Sequence, residues 1–318
     1  MTTRHLLFSL LTGLLLVSCT EAGQPEAESA AAATPSLKSA FQDDFRIGAA
    51  LNAAQIKGED PKATELLERE FNSITPENRM KWMHIHPGRD SFDFQVPDQF
   101  VALGEKNEMF VVGHTLVWHS QLAPWVSEIQ DAAEMETMLE DHINTIVGRY
   151  KGRVNGWDVV NEALNEDGSL RESVFLKTLG PDYLKKAFSL AAAADPAAEL
   201  YYNDYNLCEP AKREGCVALV KDLQAAGVKI DGVGIQAHFG LDYPPLEEIE
   251  KSITAFADLG LKVHFTEVDI TVIPNPWDLQ GADVNQNFEG SPMMNPYPES
   301  LPDSVQTVLA DRYQAIFE

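Results

Sequence analysis

The chain has 318 residues, 44% of them hydrophobic, and a formal net charge of −25. This length and composition allow one large α/β domain, or two smaller ones, with a real hydrophobic core. The charge argues against nucleic-acid binding, because affinity for a phosphate backbone comes largely from clustered Lys and Arg. No basic patch offsets the acidity.

The N-terminal segment is typical of an export signal. Arg4 and His5 precede an apolar run at residues 6–17, which is too short to cross a bilayer but suits a signal peptide. The run ends in Leu-Val-Ser-Cys, which resembles a bacterial lipobox. Residues 1–18 are therefore predicted to be a lipoprotein signal peptide and Cys19 the lipidated residue, with a plain cleaved signal as the alternative. Residues 19–40 predict a flexible tether, so we expect an exported protein, either an outer-membrane lipoprotein held by a lipid anchor or a periplasmic protein.

Seven short apolar runs in the rest of the chain predict strands, with amphipathic helical stretches between them. This alternation implies parallel pairing and right-handed crossovers, and seven such strands approach a TIM (β/α)₈ barrel. The predicted strands are 45–51, 71–75, 109–115, 154–160, 200–203, 232–237 and 263–266. The predicted helices are 61–70, 133–149, 181–194, 212–226 and 246–259.

The pattern changes after the seventh predicted strand. Residues 274–302 are rich in Pro, Asn and Gly and predict a long loop on the face formed by the carboxyl ends of the strands. A helical pattern begins near Ser304 and continues to Glu318. Since no eighth strand or helix is predicted, the catalytic domain at residues 41–318 is expected to be a truncated barrel, whose unpaired strand edges favour aggregation.

A glutamate closely follows each of two predicted strands. WDVVNEAL at Trp157–Leu164 contains Glu162, and HFTEVDI at His264–Ile270 contains Glu267. Parallel barrels carry their catalytic groups at the carboxyl ends of the strands. Glycoside cleavage needs two carboxyl groups, one to protonate the leaving oxygen and one to attack the anomeric carbon or activate water. Taken alone, either glutamate could instead be an ordinary acid paired with Lys or Arg.

Four further motifs follow or end apolar runs: TPENRMKW at 75–82, GHTLVWHSQLAPW at 113–125, YYNDYNL at 201–207 and GVGIQAHF at 232–239. Together with the glutamate segments, in this order and spacing, they resemble glycoside hydrolase family 10, the retaining endo-β-1,4-xylanases. The resemblance covers residue 41 to the end and implies hydrolysis of internal xylan linkages without a metal or another cofactor. Family members also carry an eighth-strand motif with tryptophans, which is not seen here. The alternative is therefore an inactive truncated lipoprotein that at most binds xylan.

The resemblance implies a role for single residues. Glu267 is expected to be the nucleophile, held by His238 and Asp269, and Glu162 the general acid and then the general base. Asn161 is expected to bond the sugar 2-hydroxyl. The expected substrate-binding residues are Glu77, Asn78, Lys81, His114, Trp118, Tyr205 and Gln236.

Two smaller features have no assigned function. Cys208 and Cys216 could form a bridge in an oxidising compartment or remain two buried thiols. His84 and His86 lack a third ligand at suitable spacing, so they are interpreted as loop residues rather than as a metal pair.

Overall fold

A sheet of seven parallel strands is the centre of the fold in the computed structural model, which describes residues 35–273 and 295–318. The strands are β1 (Gly48–Leu51), β2 (Ser73–Pro76), β3 (Phe110–Trp118), β4 (Gly156–Asn161), β5 (Glu199–Asp204), β6 (Gly232–Ile235) and β8 (Lys262–Phe265). They lie side by side in chain order. All seven predicted strands are present, which confirms the α/β barrel class. Within the described residues, β1 and β8 are the two ends of this sheet and do not pair with each other.

A separate two-stranded parallel ladder lies after the ends of β6 and β8. It consists of β7 (His238–Gly240) and β9 (Asp269–Thr271), with His238 opposite Asp269. The sequence predicted one strand over residues 232–237. The chain instead turns at Ala237, whose φ is 65°, and this turn ends β6 before β7 begins.

Helices occupy the crossovers between the strands, and each predicted helix is present with small shifts at its ends. The described helices are α1 (Leu37–Ala40), α2 (Ala53–Ile56), α3 (Pro61–Glu70), α4 (Trp82–Ile85), α5 (Gln95–Lys106), α6 (Pro124–Ser127), α7 (Ala132–Arg149), α8 (Val174–Leu179), α9 (Tyr183–Ala194), α10 (Pro210–Ala225), α11 (Leu246–Ala257) and α12 (Asp303–Phe317). Local sequence sets where some of them start. The Asp60 side chain accepts hydrogen bonds from the N–H groups of Lys62 and Ala63 at the start of α3, and Pro61 occupies the first helical position, where a missing N–H costs nothing.

The core lies on both faces of the sheet. Every residue of β4 is buried, as expected for a parallel strand covered by helices on one face and by the barrel interior on the other. Gly113 of β3 allows the Trp157 ring of β4 to pack directly on the backbone, since a Cβ at Gly113 would lie 2.2 Å from that ring. This close approach packs β3, which carries His114, directly against β4, which Glu162 follows.

The folded unit begins at Ser36, earlier than the predicted boundary at residue 41. Helix α1 lies within the predicted tether and is bonded to α3: Leu37 N–H donates to Glu70 Oε2 at 2.7 Å, and Lys38 Nζ donates to the Glu68 carbonyl at 2.6 Å. These bonds explain why the last residues of the predicted tether are ordered. The predicted signal peptide, Cys19 and residues 274–294 of the predicted loop lie outside the described residues.

Cys208 and Cys216 are both free and buried, which answers the question that their spacing left open. Burial raises the pKa of the Cys208 thiol to about 11. Among the described helices, none combines the length and the apolar character that a membrane span requires.

Candidate active site

The two glutamates meet at the carboxyl edge of the sheet. Glu162 directly follows β4, and Glu267 follows β8 by two residues. β5 and β6 lie between these strands, and Asn203 of β5 stands opposite Asn161 of β4. Because parallel strands present their carboxyl ends at the same edge, side chains that are far apart in the chain converge there.

A row of three amide side chains joins the two glutamates. Gln236 Nε2 donates to Glu162 Oε1 at 2.9 Å and lies 3.4 Å from Asn161 Oδ1. Asn203 Nδ2 donates to Asn161 Oδ1 at 2.9 Å and to Glu267 Oε1 at 3.3 Å. One hydrogen-bonded network therefore fixes both carboxyl groups. Asn161 and Gln236 were expected site residues from the motifs WDVVNEAL and GVGIQAHF. Asn203 was not identified from the sequence.

Glu162 is held by uncharged donors. Trp118 Nε1 donates to its Oε2 at 2.8 Å, and Gln236 donates to its other oxygen. Glu162 is only 9% exposed, and its backbone is left-handed, with φ of 54°. Such a conformation is uncommon for a residue with a Cβ and is found at sites that the surrounding structure holds in place.

Glu267 has charged neighbours. His238 Nε2 lies 3.5 Å from Glu267 Oε2, and His238 Nδ1 bonds Asp269 Oδ2 at 2.8 Å. Burial acts to raise the pKa of Glu267, but the bond from His238 and the positive charges of His114, His238 and Lys81 outweigh it, so the pKa is lowered. Burial also acts to lower the pKa of His238, yet bonding to Asp269 and Glu267 raises it to about 10. At neutral pH this arrangement favours a carboxylate beside an imidazolium.

A second Asp–His pair joins β3 and β4. His114 Nδ1 bonds Asp158 Oδ2 at 2.8 Å, and both side chains are buried. The two residues stand opposite each other in β3 and β4, and the charge of His114 contributes to lowering the pKa of Glu267. Sequence reasoning identified His114 and missed Asp158. An acid within the otherwise apolar run WDVV was the available signal.

The residues that follow β2 form a polar group beside the glutamates. Asn78 Nδ2 donates to Glu77 Oε1 at 3.1 Å, and Lys81 Nζ donates to Asn78 Oδ1 at 3.0 Å. Lys81 Nζ also lies 5.0 Å from the centre of the Trp118 ring. Burial lowers the pKa of Lys81, although the charges of Glu267, Glu162 and Glu77 oppose this shift. The structure thus gathers the predicted sugar-binding residues of this segment at the same edge as the glutamates.

Tyr205, one of the expected substrate-binding residues, is buried in this structure. It is only 5% exposed, its hydroxyl accepts a hydrogen bond from Arg171, and Lys212 Nζ lies 3.4 Å from the centre of its ring. Its neighbour Asn206 donates to Glu166 at 3.0 Å. The sequence did not indicate this burial, because Arg171 and Glu166 lie in the loop between β4 and α8, 34 and 40 residues before their partners Tyr205 and Asn206.

The two histidines near α4 are not loop residues as interpreted. His84 lies within α4, and His86 is fully buried at its end. His86 Nδ1 lies 3.0 Å from His142 Nδ1 of α7, and the Trp82 ring stacks on His142. Burial lowers the pKa of both His86 and His142. Across the part of the chain that the structure describes, no three His, Cys, Asp or Glu side chains are grouped as a metal site requires.

A parallel barrel sheet with two carboxyl groups at its carboxyl edge, one bonded to neutral donors and one beside an imidazolium, has the groups that a glycoside hydrolase uses. The chain belongs to glycosyl hydrolase family 10, whose pattern matches residues 36–317. It is 44% identical over 289 residues to endo-1,4-beta-xylanase A of Xylanibacter ruminicola, covering 89% of this chain and 78% of that protein. It is also 44% identical over 268 residues to the beta-1,4-xylanase of Dictyoglomus thermophilum, covering 83% and 74%.

Solved structures show the same likeness. A GH10 endoxylanase from a sugarcane soil metagenome superposes with a TM-score of 0.85 at 44% identity, covering 88% of this chain and 83% of that one. Xylanase 10B from Thermotoga petrophila, solved in complex with xylobiose, gives a TM-score of 0.72 at 42% identity, covering 74% of each chain. These identities show relationship as well as a shared fold.

Proposed function

We propose that this protein is a retaining endo-β-1,4-xylanase that hydrolyses internal β-1,4-xylosidic linkages of xylan by double displacement. The observation that carries the proposal is the pair of glutamates joined by one amide network, Glu162 with neutral donors and Glu267 beside the imidazolium of His238. Membership of the family and the xylanase relatives support the substrate. The xylobiose bound in the Thermotoga petrophila relative supports it further.

In the first step Glu267 attacks the anomeric carbon while Glu162 gives its proton to the glycosidic oxygen. The bond from the anomeric carbon to that oxygen breaks, and a covalent bond to a Glu267 oxygen forms. His238 suits this step because its charge keeps Glu267 ionised before attack. The part of the xylan chain that carries the glycosidic oxygen leaves with the proton from Glu162, and the other part stays bonded to Glu267.

In the second step Glu162, now ionised, removes a proton from water. The water oxygen attacks the anomeric carbon, and the bond to Glu267 breaks. Two inversions at the same carbon give net retention. Trp118 Nε1 and Gln236 Nε2 remain bonded to Glu162 without adding a charge, so the group can change between proton donor and acceptor.

The remaining polar groups position the sugar. Asn161 lies next to Glu162, and its Oδ1 takes part in the amide network. We expect its amide to bond the 2-hydroxyl of the sugar. Glu77, Asn78 and Lys81 offer acceptors and donors for the hydroxyls of a neighbouring xylose. The Trp118 ring supplies an apolar face for C–H bonds. Together they orient the anomeric carbon toward Glu267.

Wild-type protein incubated with xylan tests the proposal. We expect the viscosity to fall before much reducing sugar appears, since an endo-acting enzyme cuts internal linkages. Proton NMR of early products should show the β-anomer first, which mutarotation then equilibrates. Mannan and cellulose are the matched alternative substrates. An α-anomer appearing first, or faster hydrolysis of either alternative polymer, would contradict the proposal.

The proposal includes export and a lipid anchor at Cys19, supported by the sequence of residues 1–19 alone. Two or more acyl chains give stable membrane attachment where one gives only marginal binding. The full-length protein expressed in a bacterium should therefore partition into the detergent phase, and Cys19→Ala should not. Cys208→Ala is the matched control and should partition like wild type. If wild type and Cys19→Ala both gave soluble periplasmic protein, Cys19 would not carry a lipid anchor.

A further inference from the structure

Buried side chains of β5 fix the turn that follows Glu162. Ala163 N–H donates to the Tyr202 hydroxyl at 3.1 Å, and Leu164 N–H bonds Asp204 Oδ2 at 3.4 Å. The Tyr202 hydroxyl itself donates to the same Asp204 oxygen. Glu162 adopts its left-handed backbone where this turn begins. Such a conformation persists only where the surrounding structure determines it, and the side chains of Tyr202 and Asp204 supply two of the bonds that hold this turn.

Asp204 is the centre of this cluster. It is fully buried, and its other oxygen, Oδ1, lies 3.0 Å from Lys212 Nζ and accepts from Tyr205 N–H at 2.9 Å. Lys212, also fully buried, reaches Glu166 Oε1 at 3.0 Å. A buried carboxylate is retained only when it is well paired. The four partners of Asp204 therefore hold it rigidly, and it holds the turn.

We propose that Asp204 is a positioning residue for acid and base catalysis: acting through Tyr202 and the Ala163 and Leu164 N–H groups, it directs the Glu162 carboxyl toward the glycosidic oxygen. This inference rests on the proposed function and deepens it. Glu162 bonds Trp118 and Gln236 by its two oxygens, so a shift of its backbone changes both contacts. A displacement of about 1 Å of a catalytic group can cost on the order of 10²-fold in rate.

The identity of the leaving group separates this role from a merely structural one. A poor leaving group such as phenolate needs protonation as its bond breaks, whereas 2,4-dinitrophenolate departs without it. Misdirecting the acid therefore slows the first step for a phenyl glycoside much more than for a dinitrophenyl glycoside. A lower fraction of folded protein slows both equally. The ratio of the two kcat/KM values reports the position of the acid.

The experiment compares phenyl and 2,4-dinitrophenyl β-xylobioside as substrates of wild type, Tyr202→Phe and Asp204→Asn. For both variants we expect kcat/KM to fall roughly 10- to 100-fold with the phenyl substrate and less than about 3-fold with the dinitrophenyl substrate. Thermal melts establish that each variant is folded at the assay temperature. If Asp204→Asn fails to fold, Tyr202→Phe decides alone, since it leaves the ion pair with Lys212 in place.

Two matched controls lie away from the site. Tyr150→Phe removes another buried hydroxyl that donates to a carboxylate, that of Asp98 at 2.9 Å. Asp195→Asn changes another buried carboxylate that accepts from backbone N–H groups, including that of Gly152 at 2.8 Å. Both controls should keep the wild-type ratio of the two kcat/KM values.

The outcomes are distinguishable. A proportional loss on both substrates in Tyr202→Phe, or no loss on either, would overturn the positioning role. Glu162→Ala, measured beside them, tests the underlying function. If Glu162→Ala shows no dependence on the leaving group, the proposed function fails; if it shows the dependence and the cluster variants do not, only the inference fails.

Discussion

The surroundings of the two glutamates differ although one amide network joins them. Glu162 is nearly buried, has a left-handed backbone and bonds an indole and an amide. Glu267 is more open to solvent and lies beside His238, whose pKa is raised to about 10. Neutral donors suit a group that must gain and lose a proton, whereas a fixed positive charge favours permanent ionisation. This difference in neighbours supports the proposed roles, acid and base for Glu162 and nucleophile for Glu267.

The comparison predicts the largest loss for Glu267→Ala. Without the nucleophile no glycosyl-enzyme can form, so we expect initial rates on xylan and on 2,4-dinitrophenyl β-xylobioside to fall roughly 10⁴-fold or more. Glu105→Ala is a suitable control, because Glu105 forms a surface ion pair with Arg153, and such pairs contribute little. Substantial turnover of the activated substrate by Glu267→Ala would show that another group is the nucleophile.

The loss of rate in Glu162→Ala should depend on the substrate. We expect hydrolysis of xylan to fall about 10²- to 10⁴-fold, because general acid catalysis is lost, while the first step on 2,4-dinitrophenyl β-xylobioside is nearly unchanged. Pre-steady-state bursts of dinitrophenolate measure that step. Added azide should then accelerate turnover, since it attacks the glycosyl-enzyme without needing a base. Equal loss on both substrates, with no effect of azide, would reverse the assignment of roles.

The strands and the convergence of the glutamates were predictable because they depend on local patterns. Apolar runs such as residues 154–160 are buried on both faces of the sheet, and the parallel order of strands brings their carboxyl ends together. Individual roles came from the resemblance to a family. The pattern alone left each glutamate equally consistent with an ordinary ion pair.

The network that holds the site was not predictable from local patterns. Asn203 bonds Asn161 across 42 residues and Gln236 bonds Glu162 across 74, so no short segment contains both partners. The burial of Lys212 was predictable from its spacing, because it lies on the buried side of α10 with Cys216 and Leu219. A lysine in an apolar helical stripe implies a buried acid, but sequence alone does not say which one.

His238→Asn should produce the smallest loss of rate. It tests whether the charge of His238 keeps Glu267 ionised. In the wild-type protein, burial acts to raise the pKa of Glu267, and the His238 bond and charge help to keep it lowered. Removing His238 therefore raises the pKa of Glu267, so the acidic limb of the kcat/KM profile should move to higher pH, because that limb reports the ionisation of a base in the free enzyme. We also expect a loss on the order of 10-fold at neutral pH from poorer orientation.

The matched control for this profile is His84→Asn, since His84 lies in α4 and its pKa is lowered mainly by burial rather than by any bond to the glutamates. It should leave the acidic limb where it is in wild type. Assays on 2,4-dinitrophenyl β-xylobioside keep the measurement on the nucleophilic step, because that leaving group does not depend on the acid. An acidic limb that stays in place in His238→Asn would mean that His114 and Lys81 alone keep Glu267 ionised. The charged pair of His238 and Asp269 would then orient the nucleophile without setting its ionisation.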